Sequence, residues 1–231
     1  MKEVLTRGLE QLSLPASLAP VLEQFAALLL EKNRVMNLTA ITEPEQVATL
    51  HFLDSLALTQ ILDFSGRRVV DVGTGAGFPG IPLRAAVPDM ELTLLDSLGK
   101  RVLFLQDCCA ALKLEHITCV HARAEEFAAD HRESYDIAVS RAVAALPVLC
   151  ELCLPLVKVG GRFLAMKSVD SDAEIQNAEK AIRILGGRLS KIQDYTVPET
   201  AVVHRAVIVE KCSPTPAKYP RIFAKIKKSP L

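Results

Sequence analysis

Val69-Val70-Asp71-Val72-Gly73-Thr74-Gly75-Ala76-Gly77-Phe78-Pro79-Gly80 is the stretch that decides the fold. Val69 to Val72 reads as a buried strand, and the glycines after it deliver the chain to the start of a helix. Glycine lets the backbone turn tightly and lets a ligand approach with no Cβ in the way. Pro79 and Pro82 lack an amide hydrogen and are tolerated only in a first helical turn, so the helix begins about there. A strand, a glycine bend and a helix in this order form a ligand cradle at the edge of an α/β sheet.

Working outward, short β-rich runs alternate with helical stretches. The runs are Val69–Val72, Leu92–Leu95, Ile117–His121, Ile137–Ser140 and Arg162–Met166; the helical intervals are Pro82–Val87, Lys100–Leu112, Ala124–Asp130 and Ala144–Val157. This predicts a parallel sheet with helices on both faces. A helix over Asp172–Leu185 then leads into Arg188–Val197 and Val202–Lys211, which can close as an antiparallel hairpin and bring the sheet to seven strands. Upstream, Leu18, Val21, Leu22, Phe25, Leu28 and Leu29 mark one helix face. Further helices are predicted over Pro44–Leu50 and Leu53–Ile61, with no strand signal. The division is therefore a helical extension (1–62), an α/β core (63–213) and a basic tail (214–231).

The chain has 231 residues, 50% of them hydrophobic and 23% charged, enough to bury a core without disulfides. Its six cysteines show no disulfide framework and fit reduced thiols. Cys150 and Cys153 read as core packing, and no cysteine or histidine spacing implies a metal. Apolar runs such as Phe25–Leu30 and Ala142–Cys150 are too short to span a bilayer. The opening Met-Lys-Glu-Val-Leu does not resemble a secretory signal, so a cytoplasmic protein is expected. Net charge is zero, yet Lys218, Arg221, Lys225, Lys227 and Lys228 lie together near the end with no acid among them.

The glycine bend selects the ligand. A dinucleotide fingerprint needs its third glycine where Phe78 stands, and a Walker loop needs a Lys-Ser or Lys-Thr that is absent. Asp71 before a Gly73-x-Gly75-x-Gly77 core suits a ligand with a cationic centre, which describes S-adenosylmethionine. Asp96, ending the second strand, is placed to accept ribose hydroxyls; Ala124 and Glu125 follow the third strand beside an adenine site; Ser140 and Arg141 end the fourth.

A methyl acceptor leaves its own mark. After the fourth strand there is no Asn/Asp-Pro-Pro-aromatic clamp for an exocyclic amine and no cysteine nucleophile for a pyrimidine carbon. Guanine N7 presents an in-plane lone pair and no proton, so it needs no general base, and in RNA it must be reached in a loop or flipped out of its stack. If Arg141 or Lys167 touches the base, O6 or phosphate is the expected contact.

Asn33-Arg34-Val35-Met36-Asn37-Leu38-Thr39-Ala40-Ile41, His51-Phe52-Leu53-Asp54-Ser55, the glycine stretch and Ser140-Arg141-Ala142 closely resemble the bacterial small-subunit ribosomal RNA methyltransferase G family, also called glucose-inhibited division protein B. The resemblance implies a Rossmann-like class I S-adenosylmethionine-dependent methyltransferase. Its implied function is to methylate N7 of one guanine in 16S ribosomal RNA near the decoding centre, with that RNA or the small subunit as partner, no membrane association and a monomeric state. It implies cofactor contacts at Gly73, Phe78, Ala124, Glu125 and Arg141, with Asp96 on the ribose; Asp71, Gly75 and Gly77 complete the cofactor set. Asn33, Asn37, His51 and Asp54 match the motif beside the cofactor mouth. Asp54, Arg141 and Lys167 are the catalytic candidates, and for His51 and Asp54 an interdomain hydrogen bond competes with an acid–base role. RNA phosphates are assigned to Lys100, Arg101, Lys167 and Arg205, and in the tail to Arg221, Lys225, Lys227 and Lys228. The tail departs from the family, because Tyr219-Pro220-Arg221 leads into Ile222-Phe223-Ala224-Lys225 with no glycine. A small-molecule methyltransferase, a nicotinamide oxidoreductase and a non-catalytic RNA-binding module are the competing readings.

Overall fold

The computed structural model describes residues 1–141 and 143–231. Ala142, the last residue of the quoted Ser140-Arg141-Ala142 motif, lies outside them.

Helices α1 (Lys2–Gln11) and α2 (Leu18–Met36) open the chain. Leu5, Leu9, Leu22, Phe25 and Leu29 on their inner faces are buried, which the three-and-four spacing dictates. Helix α1 has no separate counterpart in the sequence reading, which resolved a helix face only from Leu18. Asn37 ends α2 with φ +49°, a left-handed cap that asparagine tolerates better than bulkier residues. The two helices predicted over Pro44–Ile61 are one continuous run: α3 (Pro44–Gln46), a π turn (Val47–Leu53), α4 (Asp54–Leu56) and a 3-10 turn (Ala57–Gln60). No glycine or proline falls between Leu50 and Leu53 to break it.

The remainder alternates as expected. Strand β1 (Arg68–Val72) is followed by α5 (Gly80–Ala86), β2 (Glu91–Asp96), α6 (Gly99–Ala111), β3 (Ile117–His121) and α7 (Ala124–Asp130). Then come β4 (Tyr135–Arg141), α8 (Leu146–Cys153), β5 (Val157–Ser168), α9 (Asp172–Ile184), β6 (Gly187–Thr196), β7 (Val203–Lys211) and α10 (Phe223–Lys228). The seven strands form one sheet in the order β3-β2-β1-β4-β5-β7-β6; β1 to β5 pair in parallel, and β7 runs antiparallel to both β5 and β6. Strand β5 begins at Val157 rather than Arg162, and the helix before it stops at Cys153, since Pro155 cannot continue an α-helical hydrogen-bond ladder.

Alternation across the strands splits the core in two. Val69, Leu92, Leu94, Ile137 and Val139 pack with α1, α2, α5 and α6, whereas Val70, Val72, Leu95 and Ala138 pack with α7, α8 and α9. The N-terminal helices thus share a core with one sheet face. Among the described residues no helix is long and apolar enough to cross a membrane.

Candidate functional site

Strands β1 and β4 are neighbours, with Asp71 opposite Val139, and strand order reverses there; their carboxyl ends therefore open a crevice at the switch point where such sheets bind ligands. The glycine bend is tied to β2, since Gly73 and Thr74 both donate their N–H to the Leu95 carbonyl, at 2.8 and 3.2 Å. Gly73 has φ +71°, and a Cβ there would lie 2.6 Å from the Val143 side chain. An L side chain is excluded twice over, by conformation and by space.

Asp71 acts beneath this bend. Its Oδ2 accepts the Thr74 hydroxyl at 2.7 Å and the Gly80 N–H at 2.9 Å, while a Cβ on Gly80 would stand 2.8 Å from that oxygen. The carboxyl is fully buried, burial pushes its pKa up to about 7 against those hydrogen bonds, and Oδ1 has no partner. Asp71 therefore braces the loop from beneath. Gly77 likewise turns inward, against Ile81 and Leu105.

Above the bend lies a cleft of about 440 Å³, within the range of small-molecule sites. Gly73, Gly75, Phe78, Asp96 and Arg141 line it from the sheet side, and Leu38, Thr39 and His51 come from the helical extension. A pocket of about 140 Å³ continues it, sharing Gly73, Asp96, Ser97 and Val143 and adding Leu95, Ala122, Ala124, Glu125 and Phe223. Asp96 sits between the two. It accepts N–H groups from Gly75 at 3.0 Å and Leu98 at 2.9 Å, with Arg101 at 3.5 Å, and its oxygens keep further lone pairs for a ligand.

Phe78 joins the extension to the loop. Its buried ring lies 5.3 Å from Phe25 and 4.6 Å from His51, stacked on the latter, and the Arg141 guanidinium stands 4.8 Å from its centroid. His51 Nδ1 accepts from Arg141 at 3.3 Å and Nε2 lies 2.8 Å from the Thr39 hydroxyl; burial and the nearby Arg141 push its pKa down to about 4. Thr39 is in turn held by Asn33 through two hydrogen bonds of 2.9 Å.

Asp54 is the hub of a second network. Only 1% exposed, it accepts Arg141 at 3.3 Å, Tyr195 at 2.8 Å and His204 at 2.8 Å. Burial lowers the Arg141 pKa while Asp54 raises it, and burial drives the Tyr195 phenol above its ordinary range. Asp54 therefore holds Arg141 from behind while itself buried under Tyr195 and His204.

A family model described as rRNA small subunit methyltransferase G matches residues 19–203. The chain belongs to this family. The ribosomal RNA small subunit methyltransferase G of Alkaliphilus oremlandii is 46% identical over 237 residues, covering 100% of this chain and 99% of its own length. That of Alkaliphilus metalliredigens is 52% identical over 198 residues, covering 84% and 82%. Among solved structures, M. jannaschii TYW2 in complex with AdoMet superposes with a TM-score of 0.54 at 14% identity over 68% of this chain and 72% of its own. Thermus thermophilus TrmN gives 0.53 at 22% identity over 68% and 48%. These two establish the class I methyltransferase fold.

For this family member, three of the cations assigned to RNA are committed elsewhere. Lys167 binds Glu174 at 2.6 Å and the Ala144 carbonyl at 2.8 Å. Arg205 is pinned between Asp172 and Asp194, each at 2.6 Å. Arg221 reaches Glu151 through Nη2 at 2.6 Å and Nε at 2.8 Å. In this structure these three cations are held in ion pairs with carboxylates, which reduces the net charge they present to a phosphate. Arg101 lies on the cleft wall beside Asp96. Lys100, Lys225, Lys227 and Lys228 are exposed. Tyr195 and His204 escaped the sequence reading; they are partners across the β6–β7 hairpin, a pairing that hairpin register could suggest but whose contact with Asp54 it could not. Among the described residues no cluster of His, Cys, Asp and Glu could hold a metal.

Proposed function

We propose that this protein transfers a methyl group from S-adenosylmethionine to N7 of one guanine in the 16S RNA of the small ribosomal subunit. Family membership supplies the enzyme class and the methyl donor; base and atom are our reading. The residues fit the donor. The bend leaves open space where a Cβ on Gly75 would stand, Asp96 offers lone pairs to hydroxyls, and Leu95, Ala122 and Ala124 give the second pocket apolar lining where a purine ring would lie. Bound there, the donor supplies an electrophilic methyl on a sulfonium.

What remains for the chain is to position the acceptor and exclude water, because methyl transfer is an in-line displacement. Arg141, anchored by Asp54 and His51 and lying over Phe78, is the fixed cation at the mouth. The N–H donors it does not spend on Leu50, Asp54 and His51 match O6 or a phosphate oxygen. The observation that carries N7 as acceptor is the lack of a free base on the cleft among the described residues. His51 is held neutral with both ring nitrogens engaged, Asp54 is enclosed by three donors, and the lone pairs Asp96 keeps beyond two backbone N–H groups are assigned to the donor's ribose. A ring nitrogen with an available lone pair needs none.

The phosphate contacts favoured in this reading are Lys100, Arg101, Lys225, Lys227 and Lys228, because Lys167, Arg205 and Arg221 are held by carboxylates. The extension (1–62) walls the cleft, the core (63–213) holds the donor and the tail (214–231) meets RNA. A monomer in the cytoplasm belongs to the same reading, because that is where ribosomal RNA is found. The test is to map methyl groups in small-subunit RNA from cells with and without the protein, alongside label transfer to free RNA and to the assembled subunit. Loss of one N7-methylguanosine in the deletion supports the reading; an unchanged map overturns it.

A further inference from the structure

The tail is seated on the core at three points that flank Phe223. Glu151 of α8 is wholly buried and accepts the Arg221 backbone N–H at 2.9 Å besides its side chain. Arg132 donates to the carbonyls of Tyr219 at 2.8 Å and Pro216 at 3.1 Å. Beyond Phe223, Ile226 is buried in the same core as α8. Between these anchors the Phe223 ring is half-buried, with the Arg123 guanidinium 5.5 Å from its centroid, and it forms a wall of the pocket with Leu95, Ala122 and Ala124.

From this placement we infer that Phe223 is a cofactor-binding residue, the aromatic wall against which the adenine of S-adenosylmethionine rests. The inference deepens the proposed function and rests on the donor site described there. The other apolar lining residues, among them Val72, Leu95, Ala122, Ala124 and Leu152, are aliphatic, so Phe223 supplies the aromatic face of this pocket, and stacking favours a purine over an aliphatic group of equal area. The Arg123 guanidinium against the ring adds a cation–π attraction that helps hold it in place. The tail is thereby more than a solvated cationic end, since one of its side chains completes the pocket of the methyl donor.

The chain contains no tryptophan, so Phe223→Trp places the only indole at this wall. Titration of the full-length variant with S-adenosylhomocysteine should quench or shift its emission saturably, with the affinity that calorimetry gives. Phe223→Ala should bind the same ligand about fivefold to tenfold more weakly than the parent chain. Phe223→Leu, which keeps apolar bulk beneath Arg123, should show a similar loss and serves if the alanine variant does not fold. Unaltered emission while calorimetry records binding, or unaltered affinity in the alanine or leucine variant, overturns the inference and leaves the methyltransferase reading intact. A parent chain that binds neither S-adenosylhomocysteine nor S-adenosylmethionine overturns that reading itself.

Discussion

His204 Nδ1 lies 2.8 Å from Asp54 Oδ1, joining β7 to α4 across 150 positions of sequence. With Tyr195 donating to the same oxygen and Arg141 to the other, this contact ties the antiparallel edge of the sheet to the cation at the cleft mouth.

The hydrogen bond to Asp54 raises the His204 pKa above its ordinary value, with burial opposing. A group whose folded pKa is raised contributes stability that is complete below its unfolded pKa, about 6.5, and is lost as pH rises through the folded value. His204→Phe should therefore melt lower than the parent chain at pH 6, with the gap narrowing as pH climbs past 6.5. Thermal denaturation at a series of pH values reads this directly, and a gap that widens with pH would refute it.

His51 behaves in the opposite sense. Burial and Arg141 hold its folded pKa near 4, so the unfolded chain takes up a proton first and stability falls between about pH 6.5 and 4. The loss attached to this one ring is about 3 kcal/mol. His51→Phe, which keeps the stack on Phe78, should flatten the acid limb of the stability profile in the same melting experiment.

Asp54→Asn removes the carboxylate that pairs with Arg141 at 3.3 Å. Leaving a buried guanidinium uncompensated costs about 3 kcal/mol. Melting temperature and methyl transfer should fall together. Lost turnover with an unchanged melting temperature would instead place Asp54 in contact with the substrate.

Changing Lys225, Lys227 and Lys228 together to Ala should weaken RNA binding and make its dependence on log salt shallower by about two. Arg205→Gln should leave that slope as it is, because Arg205 is already neutralised by two aspartates. Filter binding across salt concentrations distinguishes the two; an unaltered slope in the triple variant moves the phosphate contacts elsewhere.

What the sequence by itself determined is the local and the periodic. The order of the strands and of the helices between them, the bend from Gly73 to Gly80 and the exclusion of a dinucleotide by Phe78 all follow from side-chain spacing and from glycine and proline geometry, which act within a few residues. Only the tertiary structure decided which charges are free. Lys167, Arg205 and Arg221 look alike in sequence to Lys225 and Lys227, and differ because Glu174, Asp194 and Glu151 arrive beside them from elsewhere in the fold. The same holds for Asp54, whose partners lie on β4, β6 and β7, and for Phe223, brought against Ala124 by anchors on α8 and beside α7. Pairing of charges and completion of a pocket depend on distances between remote segments, and those distances are set by packing of the whole chain.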